Sequence, residues 1–313
     1  MKAQAVVLEK PESLAVRALG LADVGCEDVM VDVSWSGIST GTEKLLWSGS
    51  MPPFPGLGYP LVPGYEAAGT IVAAGSQAEH RIGETVFVPG ASCYGDIKGL
   101  FGGASSRLVT NSARALRVAP TLGRDAVLLA LAATARHALA GSAGRWPELI
   151  VGHGVLGRLL ARLVVAEGGA PPVVWETRAD RVQGARGYQV VLPGGDTRHD
   201  YRYVCDASGD ATILDTLVTR VAKGGEILLA GFYPERIGFA FVPAFLREIR
   251  LRIAAEWTPA DLEAVASMVE TGRVSLDDLV THVASAGEAS DAYRAAFEDP
   301  ACLKMILDWR KLS

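Results

Sequence analysis

Three glycines in mid-chain, Gly152, Gly154 and Gly157, stand in the spacing G-x-G-x-x-G. Leu149, Ile150 and Val151 precede them as a short apolar run, the pattern of a buried parallel strand. Val155, Leu156, Leu159, Leu160, Leu163 and Val164 follow at helical spacing, and Gly168-Gly169 stops that helix. Val173-Val174-Trp175-Glu176 reads as the next strand. Strand, glycine turn, helix, strand is the unit that holds the pyrophosphate of a dinucleotide at a helix N-terminus. Gly152, Gly154, Val155, Leu156 and Gly157 are then the expected cofactor contacts.

Glu176 lies nineteen residues after Gly157. A carboxylate at that distance accepts hydrogen bonds from the adenosine ribose and repels a 2′-phosphate, so NAD is favoured over NADP. Arg178 and Arg181 stand close by and keep a 2′-phosphate open. Ala207-Ser208-Gly209 and Gly231-Phe232 follow two further strands, at carboxyl ends where open sheets bind ligands. They read as cofactor contacts or as ordinary strand-to-helix turns.

The elements that must position these groups fit two domains, since 313 residues exceed one ordinary domain. Hydrophobic residues make up 49 % of the chain and glycines number 35, as in a compact α/β protein. A net charge of −5 argues against a nucleic-acid surface. No apolar stretch reaches the ~20 residues of a membrane span, and the N-terminus lacks a signal-peptide core, so a cytoplasmic protein is expected. Cys26, Cys93, Cys205 and Cys302 are scattered without zinc spacing and read as free thiols.

Residues 1–122 carry short strands between Pro/Gly turns, the texture of a small, mostly antiparallel β domain. From Asp125 the texture changes to a long helix over 125–140. Strands then follow at 148–152, 172–176, 188–192, 201–206, 225–231 and 250–256, with helices at 154–168, 178–186, 210–222 and 243–249. Six strands alternating with helices predict a doubly wound parallel sheet over 123–257. Residues 258–313 read as a helix (259–271), a strand (279–283), a helix (287–298) and a last strand (303–307). That tail is expected to return to the first domain.

Larger stretches resemble the medium-chain dehydrogenase/reductase superfamily. The carriers are Gly37-Ile38-Ser39-Thr40-Gly41-Thr42-Glu43, the segment Val62 to Val72, the glycine turn, the Val204 to Gly231 region and Ser275 to His282. The resemblance implies an α/β protein: a GroES-like, mostly β catalytic domain from both chain ends (1–122 and 258–313) around a six-stranded Rossmann NAD-binding domain (123–257). Zinc-dependent members carry Cys and His where this chain has Ser39 and Tyr65, and the four-cysteine structural lobe is missing. The departure implies an enzyme without zinc. Ser36 to Lys44 and Met51 to Tyr65 are most similar to the zinc-free members that oxidise the 3-(1-hydroxyethyl) group of a bacteriochlorophyllide to 3-acetyl. A tetrapyrrole substrate and a place at or near the photosynthetic membrane follow from that likeness.

Without zinc, hydrogen-bonding side chains must manage the carbinol proton. The resemblance puts Ser39 and Tyr65 where zinc would be held. Tyr65 is the first candidate for proton transfer, with its pKa expected to fall beside Lys44 or the nicotinamide charge. Ser39, Thr42 and Glu66 are candidates for orienting or relaying groups, and His137 for a general base. Each has a structural alternative: Thr40-x-x-Glu43 is a helix capping box, Tyr65 fills vacated space, and His137 packs. His153 is expected to point away from the pyrophosphate. Trp47, Phe54 and Tyr59, on a Pro/Gly-rich loop, suit a broad flat ligand or pack the loop on itself. Ile237 to Val242 alternates large and small and is expected to be the edge strand of a homodimer. The alternatives to the dehydrogenase are a zinc-free NAD(P)H quinone or enone reductase and a non-catalytic dinucleotide-binding protein.

Overall fold

The structure, a computed structural model, describes residues 1–142 and 144–312. Ala143 and Ser313, each inside an expected domain, lie outside the described residues. The contacts divide the chain into two units, Met1–Ala130 with Asp277 to the C-terminus, and Leu131–Leu276.

The second unit is a six-stranded sheet with every neighbouring pair parallel. Its spatial order is Gln189–Val191, Val173–Trp175, Leu149–Val151, Tyr201–Asp206, Val221–Leu229 and Arg250–Ile253. Numbered along the unit this is 3-2-1-4-5-6, the doubly wound order, with its switch point between Leu149–Val151 and Tyr201–Asp206. Leu149, Ile150 and Val151 are buried because both sheet faces are covered, which is why that strand shows no alternation. The helix Val155–Ala166 lays Leu159, Leu160, Leu163 and Val164 inward.

The first unit holds two mostly antiparallel sheets. Lys2–Lys10 sits between Ser13–Gly20 and Leu61–Pro63, which in turn pairs Lys98–Leu100. The larger sheet runs His282–Ser285, Met305–Asp308, Asp28–Ile38, Ala67–Ala74, Thr85–Val88, Leu116–Arg117, with Arg107–Asn111 also on Asp28–Ile38. Both chain ends enter it. Met305 pairs with Ile38 and Asp308 with Trp35, so the last strand braces the one that delivers Ser39. Trp309 beyond it is fully buried and donates its indole N–H to Ser36 Oγ at 2.8 Å.

Several expectations shift. Residues 258–276 group with the second unit and 123–130 with the first, so the joins differ from 122/123 and 257/258. The reason is local: Asp261 at the start of helix Pro259–Glu270 bonds Arg136 and His137 of the second unit. The expected helix at 125–140 is a 3₁₀ stretch, Pro120–Leu128, running into an α-helix, Leu129–Ala140. Residues 178–186 form only a 3₁₀ turn at Ala179–Arg181, with Gly184 in a left-handed conformation. Helix Leu214–Arg220 is shorter than 210–222, because Val221 already pairs as a strand with Tyr201. Ile237 to Val242 pairs with no strand among the described residues: Ala240 N–H donates to Asp215 Oδ1 at 2.7 Å, and Phe241 opens the helix Phe241–Arg247. The sheet ends at Gln189–Val191 on one side and at Arg250–Ile253 on the other.

Truncating Trp309→Ala is expected to cost about 3–5 kcal/mol, since it removes a fully buried ring and orphans Ser36. Urea denaturation against wild type reads the loss.

Candidate active site

Ser39 follows directly on Ile38, the end of a strand braced on both sides, and Tyr65 stands in the turn between Leu61–Pro63 and Ala67–Ala74. Their hydroxyls meet: Ser39 Oγ and Tyr65 Oη lie 2.5 Å apart, and Thr42 Oγ1 is 3.3 Å from the same Tyr65 oxygen. Three of the predicted catalytic residues thus share one cluster in the first unit.

The acidity of Tyr65 departs from expectation. Burial and the neighbouring Glu66 carboxylate push its hydroxyl well above the usual phenol range, against the pull of the Ser39 and Thr42 hydrogen bonds. Lys44, expected to lower it, instead donates to the Phe297 carbonyl at 3.2 Å. Tyr65 therefore holds its proton.

Beneath the hydroxyls lies buried charge. Glu66 is wholly inaccessible and ion-paired with Lys304, itself 2 % exposed. Burial pushes the Glu66 carboxyl up while the Lys304 ammonium pulls it back. Gly37 makes room for the pair, for a Cβ there would stand 2.0 Å from Glu66 Oε2. Glu43, 1 % exposed, accepts from the Ser39 backbone N–H at 2.9 Å and from the Tyr293 hydroxyl at 2.6 Å. The expected Thr40/Glu43 capping box does not form. The helix begins only at Glu43, with Thr42 at its N-cap and no side-chain cap, so Glu43 reaches back to Ser39.

An aromatic path leads outward. The Phe101 ring meets Tyr65 edge-to-face at 5.6 Å and Phe54 at 6.3 Å. Phe54, Tyr59 and Met51 pack over Leu8, Leu46, Leu61 and Leu100. Trp47 leans on Phe297 at 5.7 Å, and the Tyr59 hydroxyl is spent on the Leu46 carbonyl. Of the three substrate candidates, Phe54 shares the neighbour Phe101 with Tyr65.

In the second unit each glycine has a distinct job. Gly152 takes φ +96°, which side chains disfavour. A Cβ on Gly157 would stand 1.8 Å from the Gly152 carbonyl oxygen, so helix and turn could not close. Gly154 caps the helix Val155–Ala166 beside open space, leaving its N-terminal N–H groups approachable. This cradle fits a dinucleotide pyrophosphate. Glu176 is 8 % exposed and accepts from His153 N at 3.3 Å and Arg178 N at 2.9 Å, which holds its carboxylate beside the turn. The Arg178 guanidinium bonds Asp180.

His153 does turn inward. Its Nδ1–H donates to the Arg181 carbonyl at 2.8 Å, and burial lowers its pKa to about 4, so the neutral ring accepts from Tyr188 Oη at 2.9 Å. The turns at 207–209 and 231–233 touch: a Cβ on Gly231 would lie 3.0 Å from Gly209 N. Asp206, which sequence reasoning passed over, clasps them by accepting from Ser208 N at 3.0 Å and Tyr233 Oη at 2.5 Å. His137 Nδ1 lies 2.8 Å from Asp261 Oδ2, and Asp261 also caps the helix Pro259–Glu270 with Thr258.

Lys304, Tyr293 and Phe101 were likewise missed. Lys304 and Tyr293 lie more than 200 residues from their partners, and no local pattern marks them. Glu43 was read only as a helix start.

The alcohol dehydrogenase GroES-like domain model matches residues 25–120. The 2-desacetyl-2-hydroxyethyl bacteriochlorophyllide A dehydrogenase of Rhodobacter capsulatus is 57 % identical over 311 residues, covering 99 % of both chains. Its Cereibacter sphaeroides counterpart is 57 % identical over 315 residues, again 99 % of both. Among solved structures, an Escherichia coli short chain alcohol dehydrogenase complexed with NADH superposes with TM-score 0.83 at 20 % identity, over 98 % of this chain and 99 % of that one. At that identity it speaks for the fold.

Replacing Lys304→Met is expected to strand a buried carboxylate and cost about 3–5 kcal/mol at pH 8. The loss shrinks as pH falls, because burial raises the Glu66 pKa and the stranded carboxyl takes up a proton. The double variant Glu66→Gln/Lys304→Met recovers most of it, measured by chemical denaturation.

Proposed function

Because the chain belongs to the medium-chain dehydrogenase/reductase superfamily and, within it, to the family of 2-desacetyl-2-hydroxyethyl bacteriochlorophyllide A dehydrogenases, we propose that it oxidises the 3-(1-hydroxyethyl) group of a bacteriochlorophyllide to 3-acetyl. The observation that carries this reading is identity of 57 % along 99 % of both chains.

NAD supplies the hydride acceptor when bound. Gly152, Gly154 and Gly157 would hold its pyrophosphate and Glu176 its adenosine ribose. A carboxylate already fixed by two backbone N–H groups repels a 2′-phosphate, which supports NAD over NADP. Ala207, Ser208, Gly231 and Phe232 would lie along the nicotinamide half, with Asp206 and Tyr233 setting their turns.

The carbinol proton is the task of Tyr65, Ser39 and Thr42. A Tyr65 with a raised pKa serves poorly as a standing base, yet a hydroxyl pair 2.5 Å apart can pass a proton without a free tyrosinate. Tyr65 takes the carbinol proton as it yields its own to Ser39, Ser39 in turn releases its hydroxyl proton to solvent water, and Thr42 steadies the oxygen. Glu66, ion-paired with Lys304, acts on Tyr65 directly through its charge, which raises the Tyr65 pKa. This reading needs no zinc. In its favour, Ser39 and Tyr65 are poor zinc ligands at neutral pH, and among the described residues no three His, Cys, Asp or Glu side chains converge on a metal site. Phe54 and Phe101 would meet the macrocycle, with Trp47 and Tyr59 bracing the loop.

Among the described residues no helix is long and apolar enough to cross a membrane. We read the protein as cytoplasmic or peripheral to the photosynthetic membrane. We also read it as a homodimer. Phe241 is 68 % exposed, with Val242, Phe245 and Leu246 also exposed on the helix Phe241–Arg247, and Ile253 is 73 % exposed, with Leu251 also exposed, on the sheet-edge strand Arg250–Ile253. That edge is the reason to expect a two-fold pairing.

Incubated with NAD and a 3-hydroxyethyl bacteriochlorophyllide, protein purified without added zinc should shift the pigment's red band. Tyr65→Phe should slow the shift about 100-fold or more, and Glu176→Ala should erode the preference for NAD. Stoichiometric zinc, a wild-type preference for NADP, or quinone reduction without pigment turnover would each defeat the corresponding part. Light scattering should give a dimer at micromolar concentration, and Phe241→Asp/Ile253→Asp a monomer.

A further inference from the structure

Glu43 is a buried carboxyl that the hydride and proton steps above leave unused. It lies one residue past Thr42, and its two oxygens serve two distant segments. Oε1 accepts from the Ser39 backbone N–H at 2.9 Å, and Oε2 from the Tyr293 hydroxyl at 2.6 Å. Ser39 is the residue whose Oγ stands 2.5 Å from Tyr65. The chain of contacts therefore runs from the tail helix Ala289–Glu298 through Tyr293 and Glu43 to Ser39 and Tyr65, all within the first unit.

Both bonds need an acceptor. An ionised carboxylate offers only acceptors, whereas a protonated one turns one oxygen into a donor. The Ser39 N–H can only donate. On protonation, then, Tyr293 must reverse its hydroxyl or Ser39 must lose its acceptor, and both bonds lose the charge that strengthens them.

We propose that Glu43 is a proton-linked positioning residue, which as a carboxylate holds Ser39 against Tyr65 and on taking a proton lets that pair loosen. The proposal rests on the dehydrogenase reading for its effect on turnover, but not for the coupling itself.

The surroundings put this change in a useful range. Burial raises the Glu43 pKa to about 7, with Tyr293, Ser39 and Lys304 pulling it down and Glu66 pushing it up. The groups facing it are Tyr293 from the tail helix, Glu66 and Tyr65 from the turn before Ala67–Ala74, and Lys304 ahead of the last strand. On its own helix, Lys44 is drawn off to the Phe297 carbonyl.

Two substitutions separate the roles. Gln in Glu43→Gln offers an acceptor to Ser39 and a donor to the Tyr293 oxygen, so it holds the neutral, loosened arrangement at every pH without a titrating group. Tyr293→Phe removes a bond that favours the ionised form, so the midpoint must rise.

The test uses full-length protein labelled with ¹³Cζ-tyrosine, the Tyr65 signal being assigned by its loss in Tyr65→Phe. Between pH 5.5 and 8.5 the wild-type Tyr65 resonance should move with a midpoint near 7. It should stay flat in Glu43→Gln and move at higher pH in Tyr293→Phe. In turnover of the hydroxyethyl pigment, wild-type kcat should fall at least about fivefold from pH 8 to pH 6, with the KM for NAD unchanged. In Glu43→Gln that fall should vanish. A flat Tyr65 signal in wild type, or a transition that survives in Glu43→Gln, overturns the proposal. Should Glu43→Gln fail to fold, an unmoved midpoint in Tyr293→Phe overturns it. Should wild type not turn over the pigment at all, the dehydrogenase reading fails, while the resonance still decides the coupling.

Discussion

Two carboxyls and an ammonium are buried directly under a pair of hydroxyls, and much of the first unit is arranged to satisfy them. Water is excluded there, so every polar atom needs a protein partner. Glu66 takes Lys304, and Glu43 takes Ser39 N–H and the Tyr293 hydroxyl. Those partners come from the far end of the chain. The pairing of Met305–Asp308 with Asp28–Ile38 brings Lys304 into place, and the packed stripe Ala289, Ala292, Tyr293, Ala296 aims Tyr293. Gly37 leaves space that the Glu66–Lys304 pair fills beside that strand, for a Cβ there would clash with Glu66 Oε2. The return of the tail is thus a requirement of the site, beyond completing a sheet.

The proposed proton transfer without a metal must work within this arrangement. A tyrosine under such a field holds its proton instead of losing it. A short hydroxyl pair still moves protons, because each oxygen gains one as it gives one up. What matters is then the distance between Ser39 and Tyr65, and that distance is set by backbone hydrogen bonds and buried carboxyls.

The cofactor unit obeys a simpler constraint, close approach of backbone to backbone. Gly157 on the Gly152 carbonyl and Gly231 against Gly209 are contacts that any Cβ would spoil. His153 and Glu176 then tie the glycine turn to the neighbouring strand end, one through its ring and one through its carboxylate. Such backbone approach is visible in sequence as glycine itself, so the six strands and the turn were legible at once. The failures came where a pattern had no tertiary support. Residues 178–186 carry helix-compatible residues but have little to pack on, and Gly184 breaks the turn. Ile237 to Val242 alternates like a strand yet pairs with no strand among the described residues.

Sequence alone determined the periodic and local features: the parallel sheet, the glycine cradle and the acidic strand end. These are encoded within some twenty residues of one another, by spacing or by conformational need. Only the tertiary structure decided that Lys304 neutralises Glu66, that Glu43 answers to Tyr293, that Phe101 joins Phe54 to Tyr65, and that Tyr65 becomes a weaker acid. Each depends on burial and on partners brought together by distant chain segments, and neither quantity exists until the sheets have formed.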